Sequence, residues 1–223
     1  MKKLLFLIFL FFSTNGWAFP YTSILASGSC ANSTTMPCPP KNWTIDLNTT
    51  SWSDPIGISS NDFYDPSGAN GAVAFWNTKF SGTLEAYVTI PADGFASGIV
   101  FTTGNSAAGP TTGYIINTPL GGSSIEVRKG IDTVGSTLKT ITKTFTAGDS
   151  LGATITPAGV IIIWYKVGNG QWTNLGTVTD TTYACSYIGI IIQDSTGRLT
   201  NFGGGSSFST ITSDASINDA SIN

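Results

Sequence analysis

From residue 43 to residue 205, apolar residues recur at a spacing of two, in short runs broken by Gly, Asn, Asp, Ser or Pro. A spacing of two marks strands with one face buried, and no stretch repeats at the helical spacing. The runs predict strands at residues 43–47, 72–80, 83–90, 98–102, 114–117, 124–129, 138–145, 151–155, 160–167, 172–178, 188–193 and 199–202. Short strands separated by turn signals predict an all-β fold, a two-sheet antiparallel β-sandwich with nearly no helix. Ser81-Gly82 predicts a tight turn, and Asn169-Gly170 a type I′ hairpin turn, which needs positive φ at both central residues. Residues 53–70 are turn-rich and predict no strand. The stretch 19–42, rich in Ser, Pro, Cys and Asn, predicts an irregular lead-in.

The ends differ from this pattern. Lys2 and Lys3 precede an apolar run at residues 4–12, and Gly16 and Ala18 supply small residues at a cut site. This is the layout of a secretory signal peptide cleaved after Ala18. The apolar run is too short to span a membrane, which takes roughly 20 residues. No later run is long enough either, so a secreted or cell-surface protein without a transmembrane segment is expected. The last residues repeat Asp-Ala-Ser-Ile-Asn twice, as a polar tail. The domain plan is a signal peptide at 1–18, a lead-in at 19–42, a sandwich at 43–209 and a tail at 210–223.

Composition narrows the function classes. Of 223 residues, 10 are Lys or Arg and 13 are Asp or Glu, so the chain lacks the basic footprint that nucleic acid requires. Cys30 and Cys38 flank a short loop and could form a disulfide in an oxidising compartment. Cys185 is then left over and reads as a small buried hydrophobe. The chain has no histidine, which rules out a Ser-His-Asp triad and histidine metal sites.

Residues 148–205 carry a recurring order. It runs Gly148-Asp149-Ser150-Leu151, then Gly159 to Tyr165, then Asn169-Gly170-Gln171-Trp172. Asp180 and Tyr183 follow, then Ser186-Tyr187-Ile188-Gly189-Ile190, then Asn201-Phe202-Gly203-Gly204-Gly205. This order resembles the concanavalin A-like lectin/glucanase superfamily in its laminin G-like jelly-roll branches. The resemblance implies two stacked curved sheets, a concave sheet that often binds saccharides, and rim loops that often bind calcium. It implies no single function, because lectins, hydrolases, lyases and adhesion modules share the sandwich.

The glycosidases of that group carry a strand with paired carboxylates. This chain has only two glutamates, Glu85 and Glu126, on separate strands. The expected function is therefore a carbohydrate-binding or adhesion module without catalysis, with a glycan or cell-surface polysaccharide as partner. A structural surface protein, or a glycan hydrolase or lyase, is the alternative. Strand alternation puts Glu85 and Tyr87 on one face of their strand, and Glu126 and Arg128 on one face of theirs. The expected ligand site joins these four on one exposed sheet face, with Trp76 or Tyr114 nearby. Trp164 is expected in the core, and Trp172 half-exposed. No cofactor is required. Asp54, Asn61, Asp62, Asp65 and Asn70 gather oxygen ligands in one loop and leave calcium open.

Overall fold

The structure is a computed structural model. It describes residues 43–44, 54–68, 71–91, 96–104, 112–119, 121–131 and 135–207, and residues 24–27 and 45 as backbone. The expected signal peptide, the Cys30–Cys38 pair, Trp52, Asn70 and the tail lie outside the described residues.

Sixteen strands form the described fold, with no helix among the described residues. They are β1 (Ile24–Ser27), β2 (Trp43–Ile45), β3 (Gly57–Ser59), β4 (Asp62–Tyr64), β5 (Ala72–Trp76), β6 (Thr83–Thr89), β7 (Ser97–Thr102) and β8 (Gly113–Thr118). They continue as β9 (Ser124–Lys129), β10 (Ser136–Thr142), β11 (Ser150–Ile155), β12 (Val160–Lys166), β13 (Trp172–Thr179), β14 (Tyr187–Ile192), β15 (Arg198–Leu199) and β16 (Asn201–Ser207). A six-stranded sheet runs β1-β16-β6-β11-β12-β13, and a seven-stranded sheet runs β10-β9-β8-β7-β14-β5-β2. The strand pairs are antiparallel, and β15, β4 and β3 make a small third sheet. This is the expected all-β antiparallel sandwich.

Alternation builds the core. Leu84, Ala86, Val88, Leu151, Ala153, Ile161 and Ile163 point inward from the six-stranded sheet. Trp76, Ile99, Phe101, Ile116, Ile125, Val127 and Ile190 meet them from the seven-stranded sheet. Removing so much apolar surface from water, at roughly 25 cal/mol per Å², is the main force joining the sheets.

Three local expectations are corrected. The lead-in contains a strand, β1, paired with β16. Residues 53–70 hold two strands, β3 and β4, joined by Ser60 and Asn61 with φ of 54° and 70°. Positive φ at both central residues is the type I′ pattern. The β12–β13 hairpin turns one residue earlier than expected. Gly170 N–H donates to the Val167 carbonyl, and positive φ falls on Gly168 (46°) and not on Asn169. That pattern is type II′, where only the first central residue needs positive φ.

Candidate functional site

The two strands expected to share a face lie in different sheets. Glu85 and Tyr87 sit on β6 of the six-stranded sheet, while Glu126 and Arg128 sit on β9 of the seven-stranded sheet. Leu84, Ala86, Val88, Ile125 and Val127 point into the common core, so the two pairs lie on the outer sides of opposite sheets, where Glu85 and Tyr87 are buried instead of exposed. Packed sheets lie about 10 Å apart, so no groove joins the pairs. Trp76 and Tyr114 belong to neither face. Trp76 is buried against Trp43 and Phe202, with ring centroids 5.2 and 6.3 Å away. Tyr114 is fully buried between the sheets.

The outer side of the six-stranded sheet carries an aromatic cluster. Tyr87 and Trp164 flank Gly152 on the strand between them, and Ile162 and Trp172 pack beside them. Gly152 has no side chain, which leaves room for both rings to lie over it. Trp164 Nε1–H donates to Thr154 Oγ1 at 2.9 Å, and the Lys166 ammonium lies 5.2 Å from the Trp172 ring. Tyr87 and Trp164 are buried, at 6% and 3% exposure, and Trp172 is half-buried. Trp164 is thus buried as expected, but in this outer cluster and not in the main core.

The outer side of the seven-stranded sheet is built differently. Gly98, Gly113 and Gly189 lie on its central strands. A Cβ at any of them would run into a neighbouring strand's carbonyl oxygen, on Ile116, Phe101 and Ala74 respectively. Val73, Phe75, Val100, Ile115, Ile131 and Ile191 fill the space around them as a second buried cluster. Toward β9 the face turns polar. Asn117 stands opposite Glu126, and Ile115 opposite Arg128. Directly opposed side chains are about 5 Å apart. Asn117 is fully buried, and its Nδ2 donates to Gln193 Oε1 at 2.8 Å while its Oδ1 has no hydrogen-bond partner. Glu126 and Arg128 are half-buried, and one Arg128 amino group reaches the Gly135 carbonyl at 3.4 Å. Asn117 and Gln193 escape sequence reasoning because each sits at the end of an apolar run, where nothing distinguishes a ligand from a turn residue.

The residues that carry the superfamily resemblance do structural work. Asp149 Oδ2 accepts from Tyr165 Oη, Thr146 N–H and Thr146 Oγ1, at 2.5, 2.8 and 2.9 Å, and Oδ1 accepts from Gly168 N–H. Burial pushes the Asp149 carboxyl up, but these donors outweigh it and hold the group below its ordinary value. Burial and the Asp149 hydrogen bond push the Tyr165 hydroxyl up to about 12. At the other end of the β12 strand, Asp180 accepts from Tyr114 Oη at 2.7 Å, from Thr182 N–H at 2.9 Å and from Lys129 Nζ at 3.3 Å. Burial opposes ionisation there too, yet the donors from Thr182, Tyr114 and Lys129 hold Asp180 far below the usual carboxylate range. The Gly159 carbonyl accepts from Asp180 N–H, and a Cβ on Gly159 would strike the Asp180 backbone.

Beside this second hub lies a cavity of about 220 Å³. Gly82, the β11–β12 turn and residues 181–185 line it, with Tyr183 and Cys185 among them. Cys185 is a free thiol, and burial pushes it up to about 12, so it stays protonated and unreactive.

The described residues of the segment that leaves calcium open are spread along β3 and β4. Asn61 lies at the tip of the β3–β4 hairpin, and Asp65 at the far end of β4. Asp65 Oδ1 accepts from the N–H groups of Ser67 and Gly68, leaving only Oδ2 without a partner. Among the described residues, no group of three Cys, Asp or Glu side chains could hold a metal.

No protein-family profile matches the sequence, and a comparison with curated proteins finds no relative. Solved structures do match. The exoplasmic/lumenal domain of VIP36, in a form with Ca2+ and Man2 bound, aligns over 86% of this chain and 90% of its own. Its TM-score is 0.54 at 12% identity. The legume lectin-like domain from Entamoeba histolytica aligns over 79% of this chain and 97% of its own, with TM-score 0.51 at 14% identity. The chain therefore has the concanavalin A-like jelly-roll fold that its C-terminal half resembles.

Proposed function

We propose that this chain is an exported, non-catalytic module that binds a glycan or cell-surface polysaccharide. The site we assign lies on the outer side of the seven-stranded sheet, between Asn117, Glu126 and Arg128. The observation that carries it is the polar margin of this face, where the half-buried Glu126 and Arg128 stand on one strand beside the buried Asn117. Sugar hydroxyls could reach the Glu126 carboxylate and the Arg128 guanidinium. Acceptors and a planar donor at cross-strand spacing suit neighbouring hydroxyls on one sugar ring.

The fold likeness supports the ligand class, since VIP36 binds mannose units in the same sandwich. That its domain is exoplasmic or lumenal supports the export expected from residues 1–18. The placement of the glutamates supports the absence of glycosidase chemistry. Glu85 and Glu126 face outward on opposite sides. A retaining pair must stand about 5–5.5 Å apart. One observation favours a second reading, a structural surface protein: the cluster around Phe75 and Val100 closes part of the candidate face.

The test is a glycan array with the secreted protein, with and without calcium, repeated for Glu126→Ala and Arg128→Ala. Both side chains are half-buried, so each variant is expected to fold. We expect at least tenfold weaker binding in each. A parent that binds no glycan would sink the reading. Unchanged binding in both variants would remove the site from this face.

A further inference from the structure

We propose that the cavity beside Asp180 binds a single terminal pyranose unit of a neutral glycan. This rests on the glycan-binding reading and adds a chain-end subsite to it, lined by residues other than Asn117, Glu126 and Arg128. Four observations converge.

The first is size. At about 220 Å³ the space is smaller than a drug-sized pocket of roughly 300–1,000 Å³, and it suits one sugar ring better than a chain segment. The second is charge. No charged side chain is among the described lining residues. The nearby Asp180 is already taken up by Tyr114, Thr182 and Lys129. An ionic ligand would therefore find no counter-charge.

The third is the wall chemistry. Ile155, Pro157 and the Tyr183 ring offer apolar surface to the C–H face of a sugar. Thr156, Thr181 and the Tyr183 hydroxyl offer partners to its rim. The fourth is rigidity. The β11–β12 turn is closed by Gly159 N–H to the Thr156 carbonyl at 2.9 Å and by Val160 N–H to Thr156 Oγ1 at 3.1 Å. It is tied to the far wall by Asp180 N–H to the Gly159 carbonyl at 3.0 Å. The Tyr183 N–H donates to Tyr114 Oη at 3.1 Å, which fixes the other wall. A pocket held on both sides is formed before the ligand arrives, which lowers the ordering cost of binding.

The test uses the mature chain, isotope-labelled, titrated with the methyl glycosides of glucose, galactose, mannose and N-acetylglucosamine. Two variants narrow the opening: Ala184→Trp and Thr181→Trp, both at exposed positions outside the strands. Folding is checked by circular dichroism, and two positions are used in case one perturbs the loop. We expect one glycoside to shift the amide signals of residues 181–185 in the parent, with millimolar affinity. We expect at least a tenfold loss in a folded Trp variant, while Glu126→Ala leaves these shifts unchanged. If the array finds a bound glycan but no glycoside moves residues 181–185, the pocket proposal is overturned and the glycan reading stands. The same holds if the folded Trp variants bind like the parent. If the array finds no glycan, the glycan reading fails and the pocket proposal falls with it.

Discussion

The two outer faces of the sandwich solve the same problem in opposite ways. The six-stranded sheet covers its outer side with large rings, Tyr87, Trp164 and Trp172, resting over a glycine. The seven-stranded sheet puts glycines at its centre and surrounds them with Val73, Val100, Ile115 and Ile191. Each face buries a polar side chain, Glu85 on the first and Asn117 on the second, and on the second the neighbouring Glu126 and Arg128 are half-buried. Aromatic groups alone therefore do not mark a binding face. Tyr87 has the right chemistry for a sugar but is packed into its own sheet's cluster. Arg128 has less suggestive chemistry but stands half-buried at a polar margin.

Truncating the hubs and clusters should show which parts are structural. Asp149→Ala strands the donors of Tyr165, Thr146 and Gly168 and should cost about 3 kcal/mol. For a chain of this size that is a fall in melting temperature of about 6–12 °C by calorimetry. A fall under 2 °C, below the roughly 2–4 °C expected per kcal/mol, would mean the hub holds nothing together. Tyr87→Ala should cost nearly as much, about 3 kcal/mol, because it empties the aromatic cluster. Gly189→Ala should cost about 2 kcal/mol by pushing β14 off β5. Arg128→Ala should stay within about 0.5 kcal/mol. An Arg128→Ala loss equal to that of Tyr87→Ala would erase the distinction between the faces.

The pH dependence sharpens the same division, because the hubs titrate and the apolar clusters do not. Asp149 and Asp180 have depressed folded values. Their contribution is fully present above the ordinary carboxylate value of 3.8 and is lost as pH falls below it. Tyr165 is raised from 10.0 to about 12, so its contribution is complete below pH 10 and lost as pH rises toward 12. Stability measured by denaturant titration should be flat from above the carboxylate range up to the ordinary Cys185 value of 9.0, where the unfolded thiol begins to ionise and the buried one stays protonated. Asp149→Asn should flatten the acid limb, and an unchanged acid limb would assign it to other carboxylates.

Much of the fold was legible in the sequence because turn chemistry and strand alternation are local. Residues 124–129 form the predicted strand with the predicted bounds, and Gly159 and Asp180, both singled out in the sequence order, meet backbone to backbone. What alternation cannot carry is which strand lies beside which. It fixes Glu85 with Tyr87 and Glu126 with Arg128, but sheet membership depends on contacts far apart in the chain. Membership placed the pairs on opposite sides, and the same limit put Trp76 and Tyr114 in the core. The β3–β4 hairpin was missed because Ser60-Asn61 lacks the glycine that usually announces a type I′ turn. The polar margin at Asn117 is visible only once its neighbours are placed.

The most direct test is one binding titration run on three proteins: the parent, Trp172→Ala and Arg128→Ala. The ligand is the best glycan from the array, and each variant is first shown to be folded. Trp172→Ala should bind within twofold of the parent, and Arg128→Ala at least tenfold more weakly. The reverse, a loss with Trp172→Ala and none with Arg128→Ala, would place the ligand on the aromatic face of the six-stranded sheet and contradict the account.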